Sequence, residues 1–237
     1  MKDKLRIASY NIRKAVGLDY RRDPMRVLGI INQLDADVVA VQEVDKRLGD
    51  RPGVFDRKRL EEESDFVVAD LAQNDVSLGW HGNAILVRRD LTIHEVGHID
   101  LPGLEPRGAV RVDFSRDDAH VAFVGTHLGL LRPYRRRQLE TIRAHLEMHE
   151  TVRTLIAGDF NEWSEGIGLE PIEGDFDIVS PGLSFHAARP MASLDKFALG
   201  PGLKLAEAGV EEGAVARMAS DHLPVWADVE LCPLTER

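Results

Sequence analysis

Short apolar runs recur from one end of the chain to the other. Residues 5–12, 38–44, 84–88, 109–114, 120–126, 154–157, 194–199 and 225–231 are dominated by Val, Ile, Leu, Phe and Ala. Runs of this length, bounded by polar residues, predict β-strands. Two stretches carry helical spacing instead. Asp23-Pro24 sets an N-cap residue before a proline at the first helical position, and Met25, Leu28, Ile31 and Leu34 follow on one face. Residues 133–152 bring Leu139, Ile142 and Leu146 inward and turn Arg135, Arg136, Arg137 and Arg143 mostly outward. Many strands and few helices, mixed along the sequence, predict an α+β or layered α/β domain. The almost wholly polar stretch 45–65 is expected as an exposed excursion, either a solvated insert or a substrate-facing loop.

Composition narrows this picture. The chain has 237 residues, 43% apolar and 30% charged, enough for one sizeable core and too apolar for disorder. No linker or repeat divides it, so residues 1–237 are expected to form one domain. Thirty Lys+Arg against forty Asp+Glu give a net charge of −10. Such a surface repels polyanions on average, while a local basic groove remains compatible with it. Cys232 is the sole cysteine, so there is no internal disulfide, and it is expected as a small buried apolar residue. Met1-Lys2-Asp3-Lys4 leads straight into a strand-like run, and no apolar stretch is long enough to span a bilayer. The expectation is a reduced, cytoplasmic, soluble protein with no obligate protein partner.

The chemistry gathers where strands end. Residues 7–10 run into Asn11, residues 38–41 into Gln42-Glu43, residues 122–125 into Thr126-His127, and residues 155–158 into Asp159-Phe160-Asn161. Buried polar groups without partners are costly, so four strands delivering such residues at equivalent ends point to a shared cleft. Ser220-Asp221-His222 precedes the last strand. A neutral His is suited to taking a proton from water near pH 7. Adjacent residues in an extended segment face opposite ways, so Asp221 is poorly placed to orient His222, and the remote Asp195 is the better partner.

Other signals compete. His94-Glu95-Val96-Gly97-His98 matches the HExxH pattern of zinc proteases, which requires a helix. The internal Gly and the alternation of Leu91, Ile93 and Glu95 suit a strand with exposed histidines as well or better. His145 and His149 lie four apart on the second helix without an evident third ligand. The run Arg132-Pro133-Tyr134-Arg135-Arg136-Arg137 follows the His127 segment, either flanking a substrate channel or forming a solvated first helical turn.

Taken in order, Tyr10-Asn11-Ile12, Val41-Gln42-Glu43, Gly125-Thr126-His127-Leu128, Gly158-Asp159-Phe160-Asn161, Leu194-Asp195-Lys196-Phe197 and Ser220-Asp221-His222-Leu223-Pro224-Val225 resemble the motifs of the endonuclease/exonuclease/phosphatase superfamily. The resemblance covers nearly the whole chain. It implies a four-layer α/β sandwich, two packed β-sheets flanked by helices, and a divalent-metal-dependent phosphohydrolase, foremost a phosphodiesterase. It further implies that Glu43 binds Mg²⁺ or Mn²⁺ with Asn11 and Asp221 alongside, and that Asp159 orients the attacking water. His222, held by Asp195, would be the general base, and His127 and Asn161 would hydrogen-bond the phosphoryl oxygens. Arg107 resembles a residue of one bacterial branch and is a candidate phosphate clamp, with a surface ion pair as the alternative. Lys196 stands where the family often has Arg or Tyr. The implied substrate is a phosphate ester: a nucleic acid, a small phosphodiester or a phospholipid headgroup. A pseudo-hydrolase that only binds phosphorylated ligands is the non-enzymatic alternative.

Overall fold

Burial on both faces is what the apolar runs encode. In the computed structural model, which describes residues 4–148, 153–164 and 167–232, the strands in chain order are β1 (Lys4–Asn11), β2 (Val38–Gln42), β3 (Phe66–Val68), β4 (Asn83–Arg88), β5 (Thr92–Leu101), β6 (Arg107–Arg116), β7 (Ala119–His127), β8 (Thr154–Asp159), β9 (Asp177–Val179), β10 (Asp195–Leu199), β11 (Leu203–Val210) and β12 (Val225–Leu231). The helices are α1 (Pro24–Gln33), α2 (Arg57–Glu62), α3 (Arg132–Glu147), α4 (Glu170–Glu173) and α5 (Ala216–Ala219). Two mixed six-stranded sheets result, ordered β11-β12-β1-β2-β4-β3 and β5-β6-β7-β8-β10-β9.

The sheets pack face to face. Leu5, Ile7, Val38 and Ala40 of one meet Phe123, Leu155, Ala157 and Phe197 of the other in a central core. The alternate residues Ala8, Tyr10, Val39 and Val41 turn to Val27, Leu28 and Ile31 of α1. Val124, Ile156 and Ala198 meet Leu139 and Ile142 of α3 on the opposite outer face. Central strands thus read as continuous apolar runs, as strands buried on both sides must. The layers are helix, sheet, sheet, helix. Asp23 caps α1 by accepting the Arg26 amide at 3.0 Å.

The structure departs from the sequence expectations at several points. Strands β3, β5, β9 and β11 lie outside the eight apolar runs. Helix α3 ends at Glu147, and residues 149–152, with His149, lie outside the described residues. Arg135 does not point outward but is 4% exposed. The polar stretch 45–65 is not simply exposed. It contains α2, capped by the Asp56 side chain, and buries Asp45, Phe55 and Leu60. Cys232 is only half-buried. Among the described residues, no helix is long and apolar enough to cross a membrane.

Candidate active site

Register brings the strand ends together. β1 and β2 run parallel with Asn11 beside Gln42, and β7 and β8 run parallel with His127 beside Asp159. β10 pairs antiparallel with β8, setting Asp195 directly opposite Asp159. β12 pairs antiparallel with β1, with Val225 opposite Ser9, so the 220–222 segment arrives at the same edge. Ser220 locks it there by donating to the Asn11 carbonyl at 2.7 Å. Gly158 allows the approach of β8 to β7, because at its φ of 157° a Cβ would lie 1.9 Å from the Thr126 carbonyl oxygen.

Asp159 is the hub. It is 1% exposed, and its Oδ2 accepts from Asn11 Nδ2 at 3.0 Å. The same oxygen lies 3.4 Å from His127 Nε2 and 3.6 Å from His222 Nε2. Its Oδ1 accepts the Asn161 amide at 3.0 Å, and Asn161 Nδ2 donates to Leu128 O at 2.9 Å. His222 Nδ1 is 2.8 Å from Asp195 Oδ2, an oxygen that also accepts from Ser184 Oγ at 2.6 Å. Burial opposes charge on His222, but Asp195 and Asp159 outweigh it and push its pKa up to about 10. Burial acts without such compensation on His127, pulling it down to about 3 although Asp159 resists. By themselves the two carboxylates thus favour the charged form of His222, while burial favours the neutral form of His127. Phe185 covers His222 at 4.9 Å between ring centroids, with Trp163 beyond it.

The expected metal ligands stand on the other side of Asn11. Asn11 Oδ1 accepts the Arg13 amide at 3.1 Å. Asp221 lies 3.5 Å from Arg13 Nε. Glu43 meets the Lys14 ammonium and lies 3.5 Å from Arg47. Arg13, Lys14 and Ala15 form a short 3-10 turn with φ of 48°, 57° and 56°, and Glu43 and Asn161 are also left-handed at 58° and 52°. Such backbone is uncommon for residues with a Cβ and is strained, of order 1–3 kcal/mol each. A cavity of about 370 Å³ opens here, with Glu43, Arg107 and His127 in its wall. The buried Nε of Arg107 has no hydrogen-bond partner, and among the described residues no carboxylate lies within ion-pair distance of that side chain, so no ion pair forms there.

The profile of the Endonuclease/Exonuclease/phosphatase family matches residues 8–222. The chain belongs to this family. Members of the endonuclease/exonuclease/phosphatase family are hydrolases acting on phosphoester bonds. The uncharacterized protein YbhP of Escherichia coli (strain K12) is 28% identical over 166 residues, a match covering 65% of this chain and 64% of that protein. Among solved structures, an endonuclease/exonuclease/phosphatase family protein from Bacteroides thetaiotaomicron superposes with a TM-score of 0.78 at 18% identity, covering 98% of each chain. A mannosyl-6-phosphatase of the same organism gives 0.74 at 18% identity, covering 95% of this chain and 99% of that one. D. rerio TDP2 complexed with single strand DNA product gives 0.72 at 16% identity, covering 96% and 99%.

Within this endonuclease/exonuclease/phosphatase fold the HExxH reading fails on backbone. His94 and His98 lie on β5, where residues four apart do not share a helical face. His94 Nε2 instead sits 2.8 Å from Ser115 Oγ, and His98 Nε2 sits 2.7 Å from the Leu71 carbonyl. Half of the arginine run is structural, while Arg136 and Arg137 are exposed. Arg132 Nη2 and Arg135 Nη2 hold Glu162 at 2.8 and 2.6 Å, pinning the segment that follows Asn161. Glu162, Ser184, Lys14, Arg51 and His81 escape sequence reasoning. For Glu162 a signal existed: an acidic residue directly after Asp159-Phe160-Asn161, with a cationic run elsewhere to answer it.

Proposed function

We propose that the chain is a divalent-metal-dependent phosphohydrolase, foremost a phosphodiesterase. The observation that carries this is the convergence of Asp159, Asp195 and His222, whose ligand-type atoms lie within 4.8 Å of one another, on a chain of a phosphoester-hydrolysing family. These three could themselves offer ligands to a cation. However, Asp195 Oδ2 is already engaged by Ser184 and His222, so we assign them to moving a proton.

Glu43, with Asn11 and Asp221 alongside, is the better fit for Mg²⁺ or Mn²⁺. All three are oxygen donors of the kind a hard cation prefers. Both carboxylates already face cationic side chains, Lys14 and Arg13, as a negative site in need of positive charge would. When bound, the cation supplies charge stabilisation at the phosphoryl and leaving oxygens. The chain's own residues do the rest. Asp159 accepts a hydrogen bond from the attacking water and fixes its direction. With a bound cation offsetting the carboxylates that raise its pKa, His222, oriented through Nδ1 by Asp195, would take the proton of that water. His127, Asn161 and Arg107 donate to the phosphoryl oxygens as negative charge builds. The alternative of a ligand-binding pseudo-hydrolase is disfavoured because the sequence retains every catalytic-type residue that the family resemblance implies.

Hydrolysis of bis-p-nitrophenyl phosphate in Mg²⁺ or Mn²⁺, with EDTA as control, tests the reading. Glu43→Gln should weaken metal activation far more than folding, and a metal titration matching the wild type overturns that ligand assignment. Supercoiled-plasmid nicking under the same conditions then separates a nuclease from an enzyme of small or lipid phosphodiesters.

A further inference from the structure

The cavity beside Glu43 and His127 carries more positive charge than one reacting phosphoryl group requires. Lys14, Lys46, Arg47, Arg51 and Arg107 line it, against the carboxylates of Glu43, Asp45 and Glu105. Glu43 and Asp45 are engaged, and Glu105 through one oxygen only, its buried Oε2 having no hydrogen-bond partner. Glu43 meets Lys14 and Arg47, Asp45 accepts the Leu78 amide at 2.8 Å, and Glu105 faces the Leu130 amide at 3.4 Å. Among the described residues, Lys46, Arg51 and Arg107 have no acidic partner within ion-pair distance. In a molecule of net charge −10, this is a local surplus that a bound anion relieves.

Arg51 is aimed, not loose. Its Nη1 lies 3.3 Å from His81 Nδ1. Burial, helped by the Arg51 charge, holds that imidazole below its usual pKa, so it is neutral and accepts the bond. The His81 ring is in turn set edge-on against Trp80, 4.3 Å between centroids. Arg51 and His81 both hold left-handed backbone, φ 52° and 49°, as Glu43 and Asn161 do. Non-glycine strain of this kind collects where the direction of a side chain matters.

We propose that Arg51, supported by Lys46, forms a second anion subsite beside the reacting centre, and that the substrate is a small phosphate ester carrying a further phosphate group. This rests on the phosphohydrolase reading of the same site. A polynucleotide would need cations continuing beyond the cavity; in the one dense basic run Glu162 holds Arg132 and Arg135, and only Arg136 and Arg137 are left exposed to supply them.

Calorimetric binding in EDTA tests the subsite without requiring catalysis. Methylphosphonate is compared with bisphosphonates bearing one, two or three methylene spacers. At least one bisphosphonate should bind about tenfold tighter than methylphosphonate, the scale of one charge-assisted hydrogen bond. Arg51→Met and the exposed-site variant Lys46→Met should each reduce that advantage, and Arg51→Lys should keep part of what Arg51→Met loses, with thermal midpoints confirming folding. No advantage for any spacer, or an advantage that survives both substitutions, overturns the subsite. An oligothymidylate that outcompetes every bisphosphonate overturns the small-substrate assignment. Absence of bis-p-nitrophenyl phosphate hydrolysis with any metal, while bisphosphonate selectivity holds, would remove the hydrolase reading and leave the subsite standing.

Discussion

Asp159 and Asp195 face each other directly across the β8–β10 ladder, and the imidazole of His222 is held between their carboxylates. Only Asp195 is at full hydrogen-bond distance, so the two acids have different tasks. One orients the ring and the other remains open to the cleft. Asp195→Asn should therefore lower kcat while leaving KM nearly unchanged. His222→Ala should lower kcat by at least about a hundredfold, the usual share of a general base. Steady-state kinetics with bis-p-nitrophenyl phosphate check both, and a near-wild-type rate for His222→Ala would remove it from the role.

The two buried histidines should shape stability on opposite sides of neutrality. Unfolded His127 takes up a proton near pH 6.5, but in the fold burial delays uptake to about 3. The unfolded state binds more protons in that window, so stability falls as pH drops through it. His222 behaves in the opposite sense. Burial works against its proton but the two carboxylates prevail, so its contribution is complete below about pH 6.5 and is lost as pH rises towards about 10. Urea midpoints in EDTA, at roughly pH 5, 7 and 9, should show His127→Gln flattening the acid limb and His222→Gln the alkaline limb.

Lys14 places its ammonium on Glu43, the residue proposed to hold the metal. A cation attached to the chain competes with one in solution. Lys14→Met should therefore shift the Mg²⁺ or Mn²⁺ activation midpoint several-fold lower, whatever it does to kcat. A midpoint that rises would mean that Lys14 supports the site instead of opposing the metal.

Glu162 and Arg135 are a buried pair, 1% and 4% exposed. Removing one partner of such a pair strands the other charge, at a cost of about 3 kcal/mol. Glu162→Ala should therefore lower Tm by roughly 6–12 °C for a chain of this size. Differential scanning calorimetry measures it, and a shift below about 2 °C would show the ion pair to be dispensable.

The sequence was most legible where an apolar run stops abruptly at a polar residue. Asn11, Glu43, His127 and Asp159 could be placed at one cleft because four equivalent strand ends carry them, although any one alone reads equally as a loop residue or strand cap. The geometry of extended chain set Asp221 aside as the partner of His222, and the family resemblance supplied Asp195. Strand β11 was not legible, since most of Leu203–Val210 faces solvent and shows no clean alternation. β3 and β9 are only three residues long, too short for a period. The inward turn of Arg135 was hidden because an arginine on a polar-looking helix face gives no sign of a buried partner in a distant segment. Nor does any composition signal announce left-handed backbone at Lys14, Arg51 or His81, residues that ordinarily avoid it.

The ladder between β1 and β12 joins Asn11 to the neighbourhood of His222, more than two hundred positions later in synthesis. A growing polypeptide can lay down much of the second sheet early, yet the edge of the first stays unpaired and the cleft lacks His222 until residues 220–231 have left the ribosome. A chain released before that point would carry nearly every apolar run with an open sheet edge and no competent cleft. Assembly of the cleft thus marks that translation has passed these residues, and premature termination leaves an unpaired sheet edge prone to aggregation.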